Sequence, residues 1–223
     1  MTTDTAALRG RYLAVDTTTV CDVLERYDLR DQALSPAIAA LSPTQAKLAG
    51  TVYTVRGQMM PYEGPADPDK MAAIGGMTPG VVSVWSGDGD GMAYFGELLA
   101  LGMQVRGCEG IVVNGGVRDS AWIVQHGIPC YAKYRSPVQS ITRWKVTGCQ
   151  VAVDVPGATS RRVHVSPGDF ILGDADGVVV VPARLALEVL EEAERITERE
   201  TSIRTDIRSG ADLGIVLRRY GRI

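Results

Sequence analysis

Between Val81 and Tyr134 the chain alternates short apolar runs with glycine-bearing polar loops and helical segments, and this order restricts the fold more than any other feature. The run VVSVW (81–85) reads as a strand and SGDGDG as the loop after it. MAYFGELLALGMQVRG places apolar residues at helical spacing and ends on a glycine, so it reads as a helix. GIVVN is the next strand, SAWIVQHG a short helix and IPCYAKY another strand. Such an order implies a partly parallel sheet flanked by helices.

Upstream, DTTTVCDVLERYDL starts with capping residues and reads as an early helix. LAGTVYTVRG reads as a strand closed by glycine, MMPYEGPADPDK as a mobile loop, and KMAAIGGMTPG as a short helix ending in a turn. Downstream, CQVAVDVP (149–156), RRVHV and PGDFILGDADGVVVVP read as short antiparallel strands divided by PGD and DADG turns. ARLALEVLEEAERITERETSIRTDIRSG is a long charged helix with an apolar stripe, stopped at Gly210. No linker divides the chain, so residues 1–223 are expected to form one α/β domain with a mixed sheet.

The apolar fraction of 45% is enough for a sizeable core. A net charge of −3 argues against a nucleic-acid surface, and RRVHV is too short for a basic patch. No apolar run approaches the roughly eighteen to twenty residues of a membrane span. MTTDTAALRG lacks the basic-then-apolar pattern of a secretion signal. Cys21, Cys108, Cys130 and Cys149 form no CxxC pair and read as free, buried thiols in a reducing, cytoplasmic compartment. With only His126 and His164 as histidines, any metal would be a hard cation held by oxygen.

Three constellations could carry chemistry. GDGDG (87–91) opens like a calcium loop, but its pattern fails at Met92 and Leu99. As a loop before a helix it reads either as a pair of capping aspartates or as an anion-binding turn. Glu97 falls in the first turn of the following helix, where a carboxylate also suits the helix N-terminus. Twenty residues then separate Glu97 from Arg118, which stands beside Asp119 in VVNGGVRDSAW, where glycines would let backbone and ligand approach closely. Both places follow a strand end, and in an open α/β sheet such ends converge on one crevice. Glu97 and Asp119 offer oxygen ligands for Mg²⁺, and Arg118 offers a planar fork for a carboxylate or a developing oxyanion. A plain Arg–Asp salt bridge or helix cap is the alternative. Lys133 is considered for a Schiff base and set aside, since none of the four lysines sits in the apparent site. His126 reads as a helix C-terminal residue, and His164 as the solvent side of a strand.

GELLALGMQVRGCEGIVVNGGVRDSAWI, with IPCYAKYRSP and PGDFILGDADGVVVVP, resembles the family of 4-hydroxy-4-methyl-2-oxoglutarate aldolases and regulators of ribonuclease activity A. The resemblance runs from about Asp16 to Pro182 and implies an αββα sandwich assembled as a homotrimer or homohexamer. It implies that Asp119 binds Mg²⁺ (or Mn²⁺), that Arg118 holds the 2-oxo acid, and that Glu97 orients a water on the metal. The backbone of Gly96, Leu98 and Leu99 would receive the pyruvate carboxylate. A glutamate from the last helix of a neighbouring subunit would approach the metal, with Glu200 the nearest match and Glu198 the alternative, so the segment 183–223 is expected to pack on that neighbour.

The implied activity is a metal-dependent lyase that cleaves a 4-hydroxy-2-oxo acid to pyruvate, with oxaloacetate decarboxylation as a companion reaction. A non-catalytic regulator that binds a ribonuclease or an RNA helicase is the rival. Two departures stand out. Asn114 replaces an aspartate common in the family, which would remove a charge near the metal. The segment MMPYEGPADPDKMAAIGG differs from the usual short linker and is expected to shape the distal part of the substrate pocket.

Overall fold

The computed structural model describes residues 5–220. The N-terminal half contains α1 (Thr5–Tyr12), α2 (Thr17–Arg26), β1 (Ala39–Ala40), β2 (Leu48–Met59), α3 (Pro68–Gly75), β3 (Val81–Ser86), β4 (Ala93–Phe95) and α4 (Glu97–Val105). Then come β5 (Gly110–Val117), α5 (Ser120–Gln125), β6 (Cys130–Arg135), β7 (Trp144–Cys149), β8 (Val153–Val155) and β9 (Val163–Val165). The hairpin of β10 (Phe170–Asp174) and β11 (Gly177–Val181) leads through a short 3₁₀ turn into α6 (Ala186–Arg208) and α7 (Leu213–Tyr220).

A nine-stranded mixed sheet runs in the order β1-β6-β5-β3-β2-β10-β11, with β4 added beside β5 and β7 beside β2. The parallel centre, β2-β3-β5-β6, is the part announced by the strand–helix alternation. Its strands are apolar on both faces because both faces are covered. Trp85, Ile111 and Val113 pack with α3, α4 and α5. Val82, Val84 and Val112 instead pack with the β8–β9 hairpin and with Ile171 and Val180. A third cluster joins α1, α2 and α6 to Phe170, Leu172 and Val181, with Tyr12 stacked on Phe170 at 4.3 Å. The result is one mixed α/β domain.

Several sequence-based expectations change. AYF (93–95) forms β4 and Met92 precedes it, so none of MAYF belongs to the helix, which starts only at Glu97. The GDGDG loop therefore precedes a strand, and its aspartates cap no helix. Asp88 accepts from the Met59 N–H at 2.6 Å, and Asp90 pairs with Lys133 at 3.2 Å. β2 does not stop at Gly57 but bulges there and continues to Met59. A Cβ on Gly57 would lie 2.1 Å from the Trp144 ring, so this glycine makes room for an indole. DPDK is not loop, because Asp67 caps α3 by accepting from Asp69 N–H at 3.1 Å and Pro68 opens the helix. α1, α7 and β7 were not anticipated. All four cysteines are free, but only Cys108 and Cys130 are buried; Cys21 is half-buried and Cys149 exposed. Among the described residues no helix is long and apolar enough to cross a membrane. The expectation about MTTD and the last three residues of the 183–223 segment lie outside the described residues.

Candidate active site

β4 brings the anticipated residues together. It takes up the edge of β5 that β3 leaves, pairing Ala93 with Gly116 and Phe95 with Val117. The Arg118 N–H then donates to the Phe95 carbonyl at 3.2 Å. Helix α4 starts two residues later, so Gly96 and Glu97 lie against Arg118 and Asp119.

Gly96 is the tightest point of that contact. A Cβ there would lie 2.3 Å from Asp119 Oδ2, 2.9 Å from Arg118 Cγ and 3.0 Å from Arg118 Nε. The Gly96 backbone is extended (φ −124°), so the demand is for space and not for glycine's conformational freedom. Gly96→Ala is expected to push the Asp119 carboxylate and the Arg118 side chain aside. Displacements of about 1 Å cost on the order of 10² in rate, and that loss should appear in turnover. The melting temperature should barely move, because the displaced side chains are 40% and 46% exposed. Wild-type turnover in this variant would show that Arg118 and Asp119 need no such seating.

Asp119 occupies the N-cap position of α5 in a left-handed conformation (φ 56°, ψ 32°) and makes no side-chain cap. Usual N-caps sit in the β region and turn their oxygen onto the helix. Here the left-handed backbone turns the carboxylate away, toward α4. Oδ2 stands 3.4 Å from the Glu97 N–H and 3.5 Å from Arg118 Nε, both long contacts. A left-handed non-glycine residue costs on the order of 1–3 kcal/mol, and such strain gathers at functional sites.

Glu97 is placed differently from expectation. Its Oε1 lies 2.8 Å from His126 Nε2, with the carboxylate 18% exposed, and its side chain does not line the cavity described below. His126 caps the C-terminus of α5, as anticipated, but its contact with Glu97 across α4 and α5 was not. The two residues are far apart in sequence, and only the α4–α5 packing reveals them as a pair.

Arg118, Asp119, Gly96, Leu98 and Leu99 line one cavity of about 240 Å³, with Tyr62 and Lys70 on its other wall. The segment MMPYEGPADPDKMAAIGG (59–76) thus lines this cavity through Tyr62, Asp67, Lys70 and Met71. Lys70 corrects the view that no lysine sits in the site. It is 4% exposed, and its Nζ donates to the Tyr94 carbonyl at 2.7 Å and to Ser140 Oγ at 3.0 Å. Burial, with the Arg118 guanidinium nearby, lowers its pKa from 10.5 to about 8 despite the opposing pull of Asp67. Lys133 is exposed and lies outside the cavity.

Other candidates fall elsewhere. Asn114 lines a separate groove with Arg56, Ser86, Asp154 and His164, so its lost charge does not face Asp119. His164 is exposed on β9 and meets Asp154 at 3.2 Å. Gly115 and Gly116 serve packing rather than ligand approach, since added Cβ atoms would lie 2.4 Å from the Tyr94 and Tyr134 rings respectively. Within the chain Glu200 pairs with Arg204 at 2.6 Å, and neither Glu200 nor Glu198 lines the cavity.

The donor set suits one kind of metal. Among the described residues no group of three or more His, Cys, Asp or Glu could hold an ion, so a closed zinc-type site is not formed. The loosely held, exposed Asp119 carboxylate fits a hard cation that takes one or two carboxylates directly and keeps several waters.

Residues 17–180 match the RraA-like family (Aldolase/RraA), and the chain belongs to that family. An uncharacterized protein of Methanocaldococcus jannaschii is 37% identical over 125 residues, which are 56% of this chain and 57% of that protein. A Cupriavidus necator protein provisionally named 4-hydroxy-4-methyl-2-oxoglutarate aldolase is 32% identical over 178 residues, 76% of this chain and 96% of its own. The crystal structure of Streptomyces coelicolor RraAS2, described as an unusual member of the RNase ES inhibitor RraA protein family, superposes with a TM-score of 0.76. Its sequence identity is 26%, over 89% of this chain and 97% of that one.

Proposed function

We propose that the protein is a divalent-metal-dependent lyase that cleaves a 4-hydroxy-2-oxo acid to pyruvate and also decarboxylates oxaloacetate. The observation that carries this reading is the Arg118–Asp119 pair seated on Gly96 at the start of α4, with the Asp119 carboxylate turned away from its own helix. Asp119 would hold Mg²⁺ or Mn²⁺, which when bound supplies a Lewis acid for the 2-oxo group. The substrate carboxylate lies at the N-terminus of α4, where the first-turn N–H groups, Leu98 and Leu99 among them, have no partner within the helix. Arg118 grips the 2-oxo acid and stabilises the oxyanion that develops as the C3–C4 bond breaks. The C4 hydroxyl loses its proton and becomes the departing carbonyl, and the enolate takes a proton at C3 to give pyruvate. A water at the site carries these protons in this reading; Glu97 is paired with His126 and lines no part of the cavity within the chain, so its assignment to that water rests on the family resemblance alone. In oxaloacetate the carboxylate on C3 leaves instead as CO₂ and the same enolate forms.

The neighbour's Glu200, or Glu198, completes the site in this reading, so a closed trimer or a pair of trimers is expected. Leu98, Val105 and Trp122 leave apolar surface exposed on α4 and α5 beside the pocket, as an interface would require. Sedimentation at micromolar concentration should show a closed oligomer, and a monomer would contradict the shared site. Dilution below the assembly range should also lower specific activity.

The direct test is pyruvate release from a panel of 4-hydroxy-2-oxo acids and oxaloacetate with added Mg²⁺ or Mn²⁺. Release from at least one compound is expected. Silence across the panel would favour the second reading, a regulator that binds a ribonuclease or an RNA helicase; the likeness to the Streptomyces coelicolor protein supports the ribonuclease alternative.

A further inference from the structure

Lys70 is a buried cation without a counter-ion. Its two acceptors, the Tyr94 carbonyl and Ser140 Oγ, are neutral, and among the described residues no carboxylate stands within ion-pair distance of it. The nearby Asp67 is committed elsewhere, accepting from the Asp69 N–H at 3.1 Å and the Val146 N–H at 2.8 Å. An ammonium has three donors, so one remains after these two bonds. The Trp144 ring, 5.2 Å away, offers only a weak further attraction.

A buried charge in this state is costly unless something pairs with it. Lys70 shares its cavity with Arg118, Asp67 and Asp119; Asp67 is taken up by two backbone N–H groups and Asp119 is 46% exposed, so neither carboxylate pairs with the buried ammonium. Tyr62, on the same wall, has a buried hydroxyl with no hydrogen-bond partner. A cavity of about 240 Å³ holds a small acid and little more, which keeps both ends of a ligand within the reach of its walls.

We propose that Lys70 is a specificity-determining residue: it receives a second anionic group at the end of the substrate remote from the 2-oxo acid, so the pocket selects dianionic over monoanionic ligands. The proposal rests on the 2-oxo acid reading for the end held by Arg118. It gives the segment 59–76 a defined task. Asp67 and Pro68 start α3, α3 carries Lys70 beneath Tyr94, and the ammonium waits in the pocket for an incoming carboxylate.

The test is calorimetric binding to the full-length, Mg²⁺-supplemented protein at pH 7. Two matched pairs serve as probes: 2-oxobutyrate with 2-oxoglutarate, and butyrate with glutarate. Wild-type protein should prefer the dianion of each pair by about tenfold to a hundredfold, the range of one charge-assisted hydrogen bond. Lys70→Met should erase that preference and leave 2-oxobutyrate binding near its wild-type value. An unchanged preference, or equal weakening of both members of a pair, would overturn the proposal, since a merely structural lysine predicts the latter.

The wild-type protein supplies a second arm if Lys70→Met does not fold. The charged and titratable groups around Lys70 are Asp67 and Asp69 on its own segment, Arg118 and Asp119 across the cavity, Lys145 on β7, and Tyr62. Raising the pH from 7 to 9 carries Lys70 through about 8 and removes its charge, so the dianion preference should shrink over that interval. A preference constant across it would also overturn the proposal. If glutarate binds in a Lys70-dependent way while the 2-oxo group adds nothing, the 2-oxo acid reading fails and Lys70 keeps its role. If no dianion binds, the role of Lys70 is refuted.

Discussion

Asp119→Asn is expected to abolish metal-dependent turnover and leave the fold in place. The amide keeps the size of the carboxylate but is a poor ligand for a hard cation, and the charge proposed to hold the metal is gone. Stability should hardly change, for local reasons. Asparagine adopts the left-handed conformation (φ 56°) as readily as aspartate, and the native carboxylate does not cap its own helix α5. Its contacts with the Glu97 N–H and with Arg118 are long and nearly half exposed, so their loss is worth about 1 kcal/mol or less. Turnover with Mg²⁺, direct metal binding and the melting temperature separate these effects. Retained metal binding in the variant would place the cation elsewhere.

Arg118→Lys is expected to lower kcat as well as raise KM, although the charge is kept. Lysine cannot reproduce a planar, two-pronged contact, and a contact that tightens as the oxyanion forms acts on the chemical step. Loss of one such donor costs on the order of 10²–10³ in rate. Metal affinity should persist because Asp119 is unchanged. The alternative is a surface pair, and the 3.5 Å separation of Arg118 Nε and Asp119 Oδ2 is too long for a strong one. If this arginine served only that pair, lysine would substitute for it and kcat/KM would stay near wild type.

The sequence made the parallel centre and its helices legible because continuous apolar runs and glycine stops mark strands buried on both faces. It also placed Glu97, Arg118 and Asp119 at one crevice, since that convergence follows from strand order, but the Glu97 side chain turns to His126 instead of into the cavity. What it concealed depends on packing across long separations. β4 is three residues long and too short to show a period, so MAYF merged with the helix after it. The left-handed turn at Asp119, which turns its carboxylate out of the capping position, leaves no mark in the composition. His126 reached Glu97 only through the contact of two helices. Lys70 stood where a loop rich in proline, aspartate and glycine gave way to a short predicted helix, and nothing local announced that α3 would bury it. The glycines of GGVRD were legible as a demand for space, but the occupants are tyrosine rings and not a ligand.

Metal dependence of pyruvate release by the wild-type protein tests the central claim most directly. Pyruvate release from a 4-hydroxy-2-oxo acid would be followed before chelation, after removal of divalent ions, and during titration with Mg²⁺. Activity should vanish on chelation and return in full with a saturable dependence on Mg²⁺, and borohydride should trap no substrate on the protein. Full activity after chelation, with borohydride fixing substrate onto Lys70, would contradict the account and identify the buried lysine of the pocket as an imine-forming nucleophile.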